Sequence, residues 1–240
     1  MAEGTGRRSM RNLAPLLVVT AAALVFVVLL VLVLLRYRPL ESVDQSVAGR
    51  LTGLLSGHSA AISAVKAVTT LGNTATLVGV VAVVAVVLAI GRRWRLLLYL
   101  VVTAAGAFVI DPLVKAAVGR LRPVVAHPVA HALGKSFPSG HALDSLTCYG
   151  AVLLVFLSVM RGRWRAPAIC VTAVLVVAIG FSRVLLGVHF VSDVLAGWAL
   201  AVAWLGVTAT LFELTRYAAG QRITDPLTEG LTTPADQDGR

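Results

Sequence analysis

Long apolar runs separated by short polar segments organise this chain. The first run covers residues 13–35, between a polar start carrying Arg7, Arg8 and Arg11 and the pair Arg36 and Arg38. A basic start before an apolar run resembles a signal peptide. This run is too long for one, and no small-residue cleavage site follows it, so it reads as a retained first span. Residues 40–72 are mixed. Val43, Val47, Leu51, Leu54 and Leu55 recur at spacings of three and four, which predicts an amphipathic helix lying on the membrane surface or packing over a bundle. Gly72-Asn73 marks a break. Further spans are expected at 74–90, 96–118, 139–160, 167–186 and 189–212, with a polar, proline-containing loop at 119–138. The tail from Glu213 is polar and expected to be disordered. The expected class is all-α: an integral membrane bundle of six transmembrane helices with an amphipathic helical segment between spans 1 and 2. Residues 1–12 and 213–240 flank the bundle domain, 13–212, as cytoplasmic segments.

Composition agrees with this pattern. Of 240 residues, 58% are hydrophobic and 13% charged, against roughly 25% charged in a soluble domain. The wealth of Ala, Val, Leu and Gly suits closely packed membrane helices. Cys148 and Cys170 fall inside apolar runs without metal-ligand spacing and are expected to be buried small apolar residues.

A net charge of +10 could suggest a nucleic-acid partner. The basic residues instead fall in short segments between apolar runs, and no soluble basic domain is present to carry a nucleic acid. With the N-terminus cytoplasmic, the Arg-dense turns at Arg92–Arg95 and Arg161–Arg165, with Trp94 and Trp164, and the segment around Arg216 are cytoplasmic as well. Segments 36–73 and 119–138 and the hinge at Gly187 then share the outer face.

Three polar clusters lie at that face. Lys115, Arg120, Arg122 and Pro123 end the third span. Lys115 and Arg122 are seven apart, so a continuous helix would place them on one face. Asp111, four residues before Lys115, reads as a structural partner for it. Next comes Pro138-Ser139-Gly140-His141, before the fourth span. Ser139 suits an N-cap, and the amides of Ser139 and Gly140 at a helix start would hold an anion. His141 could donate a proton, with Asp144 three residues on as a weaker candidate to hold it. The third cluster is Ser182-Arg183 through His189 to Asp193. A helix from Val188 would place His189 and Asp193 on one face, and Arg183 supplies a cationic fork suited to phosphate.

Together these groups fit phosphoryl transfer through a phosphohistidine. Cations and amides hold the phosphoryl oxygens. His189 attacks phosphorus, Asp193 orients it, and His141 protonates the leaving alkoxide and then activates water. No carboxylate or Cys/His set has metal-site spacing, so no metal or other cofactor is expected. His127 and His131 in the loop read as solvated.

The three blocks resemble the type 2 phosphatidic acid phosphatase superfamily, the lipid phosphate phosphatases. Lys115 to Pro123 matches Lys, six residues, Arg-Pro; Pro138 to His141 matches Pro-Ser-Gly-His; Ser182 to Asp193 matches Ser-Arg, five residues, His, three residues, Asp. Every defining position is present in order. The resemblance implies a six-helix bundle with its site at the outer face. It also implies phosphate binding by Lys115, Arg122, Ser139, Gly140 and Arg183, and catalysis by His189, His141 and Asp193. The family includes soluble vanadium haloperoxidases, but this chain lacks their large soluble domain. Its short, basic, Gly/Ala/Val-rich sequence looks more like bacterial members.

The expected activity is hydrolysis of a lipid-linked mono- or diphosphate at the outer face of the cell membrane. A polyprenyl diphosphate, phosphatidic acid and phosphatidylglycerol phosphate are the candidate substrates. The alternatives are a non-hydrolytic lipid-phosphate binder or transporter and a phosphotransferase to another acceptor. An intact nucleophile set argues against the first, and nothing marks an acceptor pocket for the second.

Overall fold

The computed structural model of the chain describes residues 3–126, 128–130, 132–157 and 159–218. Among these residues run eight helices: α1 (Glu3–Leu34), α2 (Arg38–Leu55), α3 (Ser59–Thr70), α4 (Thr74–Ile90), α5 (Trp94–Val118), α6 (Gly140–Leu157), α7 (Gly162–Leu185) and α8 (Val191–Ala218). The helical class is as expected. Residues 40–72, however, form two helices, because Ser56, Gly57 and His58 interrupt the segment and Gly57 takes a left-handed φ of 84°. His127, His131 and residues 219–240 of the expected tail lie outside the described residues. Glu213–Ala218 continues α8 as helix.

Five stretches are long and apolar enough to cross a membrane: Pro15–Leu34 within α1, and α5, α6, α7 and α8. The pair α3–α4, bent by 43°, makes a sixth when taken as one span. With 17 residues, α4 alone rises about 26 Å, short of a ~30 Å hydrocarbon core. α3 supplies the missing length.

Burial separates lipid-facing helices from core helices. Only 6% of the apolar stretch of α1 is buried, against 56% of α6. α6 packs against α4, α5, α7 and α8, while α8 also carries α1 along its far side. The core therefore follows α6, through Ala142, Leu143, Cys148 and Ala151. Cys148 is buried as expected. Cys170 is exposed, because it lies on a face of α7 that the other described helices leave uncovered.

α2 is amphipathic in the reverse sense from a helix on a soluble core. Its buried positions are Asp44, Ala48, Thr52 and Leu55. Of the apolar stripe seen in the sequence, Val43 and Leu54 are exposed and only Leu55 is buried. Val47 and Leu51 pack at the edge of the cluster formed by Ala142, Val184 and Val194. In a bilayer, apolar side chains can face outward without penalty, whereas a carboxylate needs a partner inside the protein. α2 follows that rule and packs over α7 and α8.

Chain direction alternates through the bundle, so the end of α1, α2, the 119–139 loop and the α7–α8 turn meet at one end. A cavity of about 570 Å³ at this end is lined jointly by Val33, Arg36, Glu41, Arg120, Arg122 and Phe190.

Candidate active site

The α7–α8 turn is built around Gly187. α7 closes with the Leu186 N–H donating to Ser182 O at 3.0 Å, and the Val188 and His189 amides both reach Arg183 O, at 3.2 and 3.3 Å. Gly187 has φ 70°, and a Cβ there would lie 2.6 Å from Cγ2 of Thr52 on α2. Glycine therefore satisfies both the left-handed turn and the close seating of α2.

α8 begins at Val191, so His189 precedes the helix, and the expected shared helical face does not form. The pair meets because the Asp193 side chain folds back. Its Oδ2 accepts the Phe190 N–H at 3.0 Å and lies 3.4 Å from His189 Nδ1. A third-position carboxylate reaching back to the residue before the helix is half of a capping box. The 3.4 Å contact is within ion-pair range, but the Nδ1 proton has no hydrogen-bond alignment. Asp193 Oδ1 accepts from Arg120 Nη1 at 2.6 Å. The other ring nitrogen of His189, Nε2, lies 3.1 Å from Arg122 Nη1. Guanidinium can only donate, so Nε2 is the acceptor and the neutral ring carries its proton on Nδ1, towards Asp193. His189 is 2% exposed. Burial lowers its pKa from the ordinary imidazole value; Asp193 opposes this shift, and Arg122 and Arg183 add to it.

Arg122 is delivered by a loop. α5 ends at Val118 with Gly119 in the left-handed region, its N–H on Lys115 O at 3.0 Å. Lys115 and Arg122 therefore do not share a helix face as expected. The loop is clasped by the Ser136 N–H on Arg120 O at 2.9 Å and the Ser136 hydroxyl on Leu121 O at 2.9 Å. Arg122 then donates to Val188 O (2.7 Å), Leu133 O (2.9 Å) and Gly134 O (3.2 Å). Burial pushes its guanidinium down from the ordinary value, with Asp193 and Asp111 acting in the opposite direction. It remains a cation.

Lys115 pairs with Asp111 at 2.6 Å, as the spacing implied. The pair lies against Gly140, where a Cβ would stand 2.8 Å from Asp111 Oδ2 and 2.9 Å from Lys115 Nζ. Only glycine lets the ammonium approach the start of α6 so closely.

The Pro138–His141 block differs from expectation in one respect. The Ser139 N–H is not free; it donates to Asp193 O at 2.9 Å and ties the start of α6 to the first turn of α8. The Ser139 hydroxyl is buried and, among the described residues, has no hydrogen-bond partner. His141 Nε2 bonds Asn73 Oδ1 at 2.8 Å, and this contact takes the place foreseen for Asp144. Arg183 donates through Nη1 to Thr69 Oγ1 at 2.8 Å, while its buried Nε has no partner among the described residues. The charges of Arg183, Lys115 and Arg122 and the ring of His189 all reach His141 electrostatically.

Lys115, Arg122, Ser139, Gly140, His141, Arg183, His189 and Asp193 thus converge from three separate segments, although two helical-face arguments for their proximity fail. Sequence reasoning missed Asp44, Thr69 and Asn73, and gave Arg120 no role. Asn73 sat in a recognised break; Asp44 was one of several polar residues on a helix read as amphipathic, so nothing in the pattern singled it out. Among the described residues, no group of three or more His, Cys, Asp or Glu forms a metal site. The cluster offers several charged donors around one buried imidazole, an arrangement suited to a tetrahedral oxyanion.

Known proteins resemble this chain in sequence and in fold. Phosphatidylglycerophosphatase B of Bacillus subtilis is 35% identical over 99 residues, which cover 39% of this chain and 46% of the relative. Lipid A 1-phosphatase of Rhizobium johnstonii is 32% identical over 123 residues, 48% of this chain and 47% of the relative. Undecaprenyl-diphosphatase of Sulfolobus acidocaldarius is 41% identical over 80 residues, 33% of this chain and 34% of the relative. The chain spans about half the length, or less, of the curated relatives it matches. A crystal structure of a transmembrane PAP2-type phosphatidylglycerolphosphate phosphatase from Bacillus subtilis superposes with TM-score 0.75 at 22% identity, covering 82% of this chain and 96% of that one. This likeness shows the shared fold. The family model described as the PAP2 superfamily matches residues 94–217, more than half of the sequence and all three polar blocks, so the chain belongs to the PAP2 superfamily.

Proposed function

We propose that this membrane protein is a phosphatase that hydrolyses a lipid-linked phosphomonoester or diphosphate through a phosphohistidine at His189. The observation that carries the reading is the state of the His189 ring. Its proton-free Nε2 faces Arg122 at 3.1 Å, and its Nδ1 side faces the Asp193 carboxylate. The relatives' printed activities, on phosphatidylglycerophosphate, lipid A and undecaprenyl diphosphate, support a lipid phosphate as the substrate class. They do not favour a non-hydrolytic binder or another acceptor.

In this mechanism, substrate phosphate draws Arg122 away from Nε2 and takes its place. Lys115, Arg122 and Arg183, with the Gly140 amide and the Ser139 hydroxyl, hold the non-bridging oxygens. Nε2 forms a bond to phosphorus as the bond to the leaving oxygen breaks, and His141 gives that oxygen a proton. The ring becomes cationic, and Asp193 stabilises it. Water then attacks phosphorus, His141 takes a proton from that water, and orthophosphate leaves with His189 neutral again.

The phosphatase unit is residues 13–212, at the plasma membrane. The density of Arg at residues 92–95 and 161–165 supports a reading with those turns in the cytoplasm and the site on the outer side. A polyprenyl diphosphate, phosphatidic acid and phosphatidylglycerol phosphate are the substrates to assay. The test is orthophosphate release from these lipids by purified protein in detergent with EDTA. Release that survives EDTA and vanishes in His189→Ala is expected; unchanged turnover in that variant overturns the mechanism.

A further inference from the structure

Behind the Asp193 carboxylate lies a second buried acid that the three sequence blocks do not contain. Asp44 on α2 is 2% exposed. Its Oδ1 accepts the Ser192 N–H at 3.1 Å. Its Oδ2 accepts the Ser192 hydroxyl and Arg120 Nη2 at 2.9 Å. The other arm of the same guanidinium, Nη1, reaches the Ser192 hydroxyl at 2.7 Å and Asp193 Oδ1 at 2.6 Å. The guanidinium also stacks 4.2 Å from the centre of the Phe190 ring. One arginine therefore bridges two buried carboxylates. Asp44, from a different helix, caps the first turn of the helix that carries Asp193.

From this geometry we infer that Asp44, acting through Arg120, is a positioning residue for the His189–Asp193 pair. The inference rests on the phosphatase reading. Two effects follow from the contacts. A backbone amide in a helix's first turn has no intrahelical acceptor, so the Asp44 bond to Ser192 fixes the rotation and height of α8 at the residue before Asp193. Sharing Arg120 also limits how much of its charge falls on Asp193. Undivided, the guanidinium would hold Asp193 more tightly and leave it a weaker partner for the imidazolium that forms on phosphorylation. The reversed amphipathicity of α2 has its explanation here: the face turned inward carries Asp44 to Arg120 and Thr52 to Gly187.

The charged and titratable groups around the pair are Arg120 and Arg122 from the 119–139 loop, Arg183 from α7, His141 from α6 and Asp44 from α2. Asp44→Asn removes one negative charge and leaves the others in place. The expected result is a fall in kcat of at least tenfold with KM within about threefold. The acid limb of kcat/KM should shift to lower pH, because one less anion stabilises protonated His189. Asp44→Glu should recover part of the rate, and Arg120→Lys, which cannot bridge two acids, should resemble Asp44→Asn. Arg50→Gln, an exposed charge on the same helix away from the cavity, is the control and should leave turnover within twofold. Thermal unfolding in detergent checks folding. A folded Asp44→Asn protein with wild-type kcat and an unmoved acid limb overturns the inference. Absence of phosphate release by the wild-type protein would instead overturn the phosphatase reading.

Discussion

Replacing Asp193 by Asn tests the heart of the mechanism, because it preserves shape and removes one charge. The carboxylate is fully buried and faces His189 Nδ1 at 3.4 Å. At that distance, an imidazolium and a carboxylate attract by about 5 kcal/mol at an effective dielectric constant near 20. His189 becomes cationic only as the phosphorus bond forms, so this attraction lowers the barrier rather than strengthening substrate binding. At about 1.36 kcal/mol per tenfold change in rate, its loss corresponds to a drop of about 4 × 10³-fold in kcat. Stability should fall as well. Asn offers an N–H where Arg120 Nη1 now meets Asp193 Oδ1 at 2.6 Å, and breaking a buried ion pair costs about 3–5 kcal/mol. The low end applies, since Asp44 still holds the other arm of Arg120. The assay is single-turnover phosphate release from a lipid phosphate in detergent, with thermal unfolding of the same preparations. A folded Asp193→Asn protein with kcat within about tenfold of wild type would refute the assigned role of the carboxylate.

Arg183→Ala should weaken phosphate binding by about 2–5 kcal/mol, read as a rise in the inhibition constant of orthophosphate. An unchanged constant would remove Arg183 from the phosphate site. The pH profile follows from the lowered pKa of His189. The attacking form is neutral and is lost as pH falls through the pKa, so the acid limb of kcat/KM should lie below ~6.5, the ordinary imidazole value; a limb above it contradicts the burial argument. Ala130→Cys in a Cys170→Ser background should react with an impermeant thiol reagent from outside intact cells. Labelling only after the cytoplasmic side is opened would invert the topology.

Much of the fold was legible because the bilayer imposes a coarse code. Apolar runs of spanning length gave the spans, and the boundaries of α4 emerged as expected. The site residues were legible because each block is local: Pro138 to His141 and Ser182 to Asp193 read without knowing where they lie in space. The reasons offered for their proximity were less secure. Helical periodicity joined Lys115 to Arg122 and His189 to Asp193, yet α5 stops before the first pair is complete and α8 starts after His189. In each case a left-handed glycine, Gly119 or Gly187, ends the regular geometry and the side chains meet through loop contacts.

Sequence alone determined that this chain must lie in a membrane and that it carries, in three short blocks, two histidines, an aspartate and a set of cations. Hydropathy and residue chemistry are properties of short segments, and they survive without a fold. Only the tertiary structure decided which nitrogen of His189 faces Arg122, that the Ser139 amide is bonded to Asp193, and that Asp44 and Arg120 stand behind the His189–Asp193 pair. Those contacts join residues up to 148 positions apart. Their partners are fixed by the packing of α2, α6 and α8, and no local pattern encodes that packing.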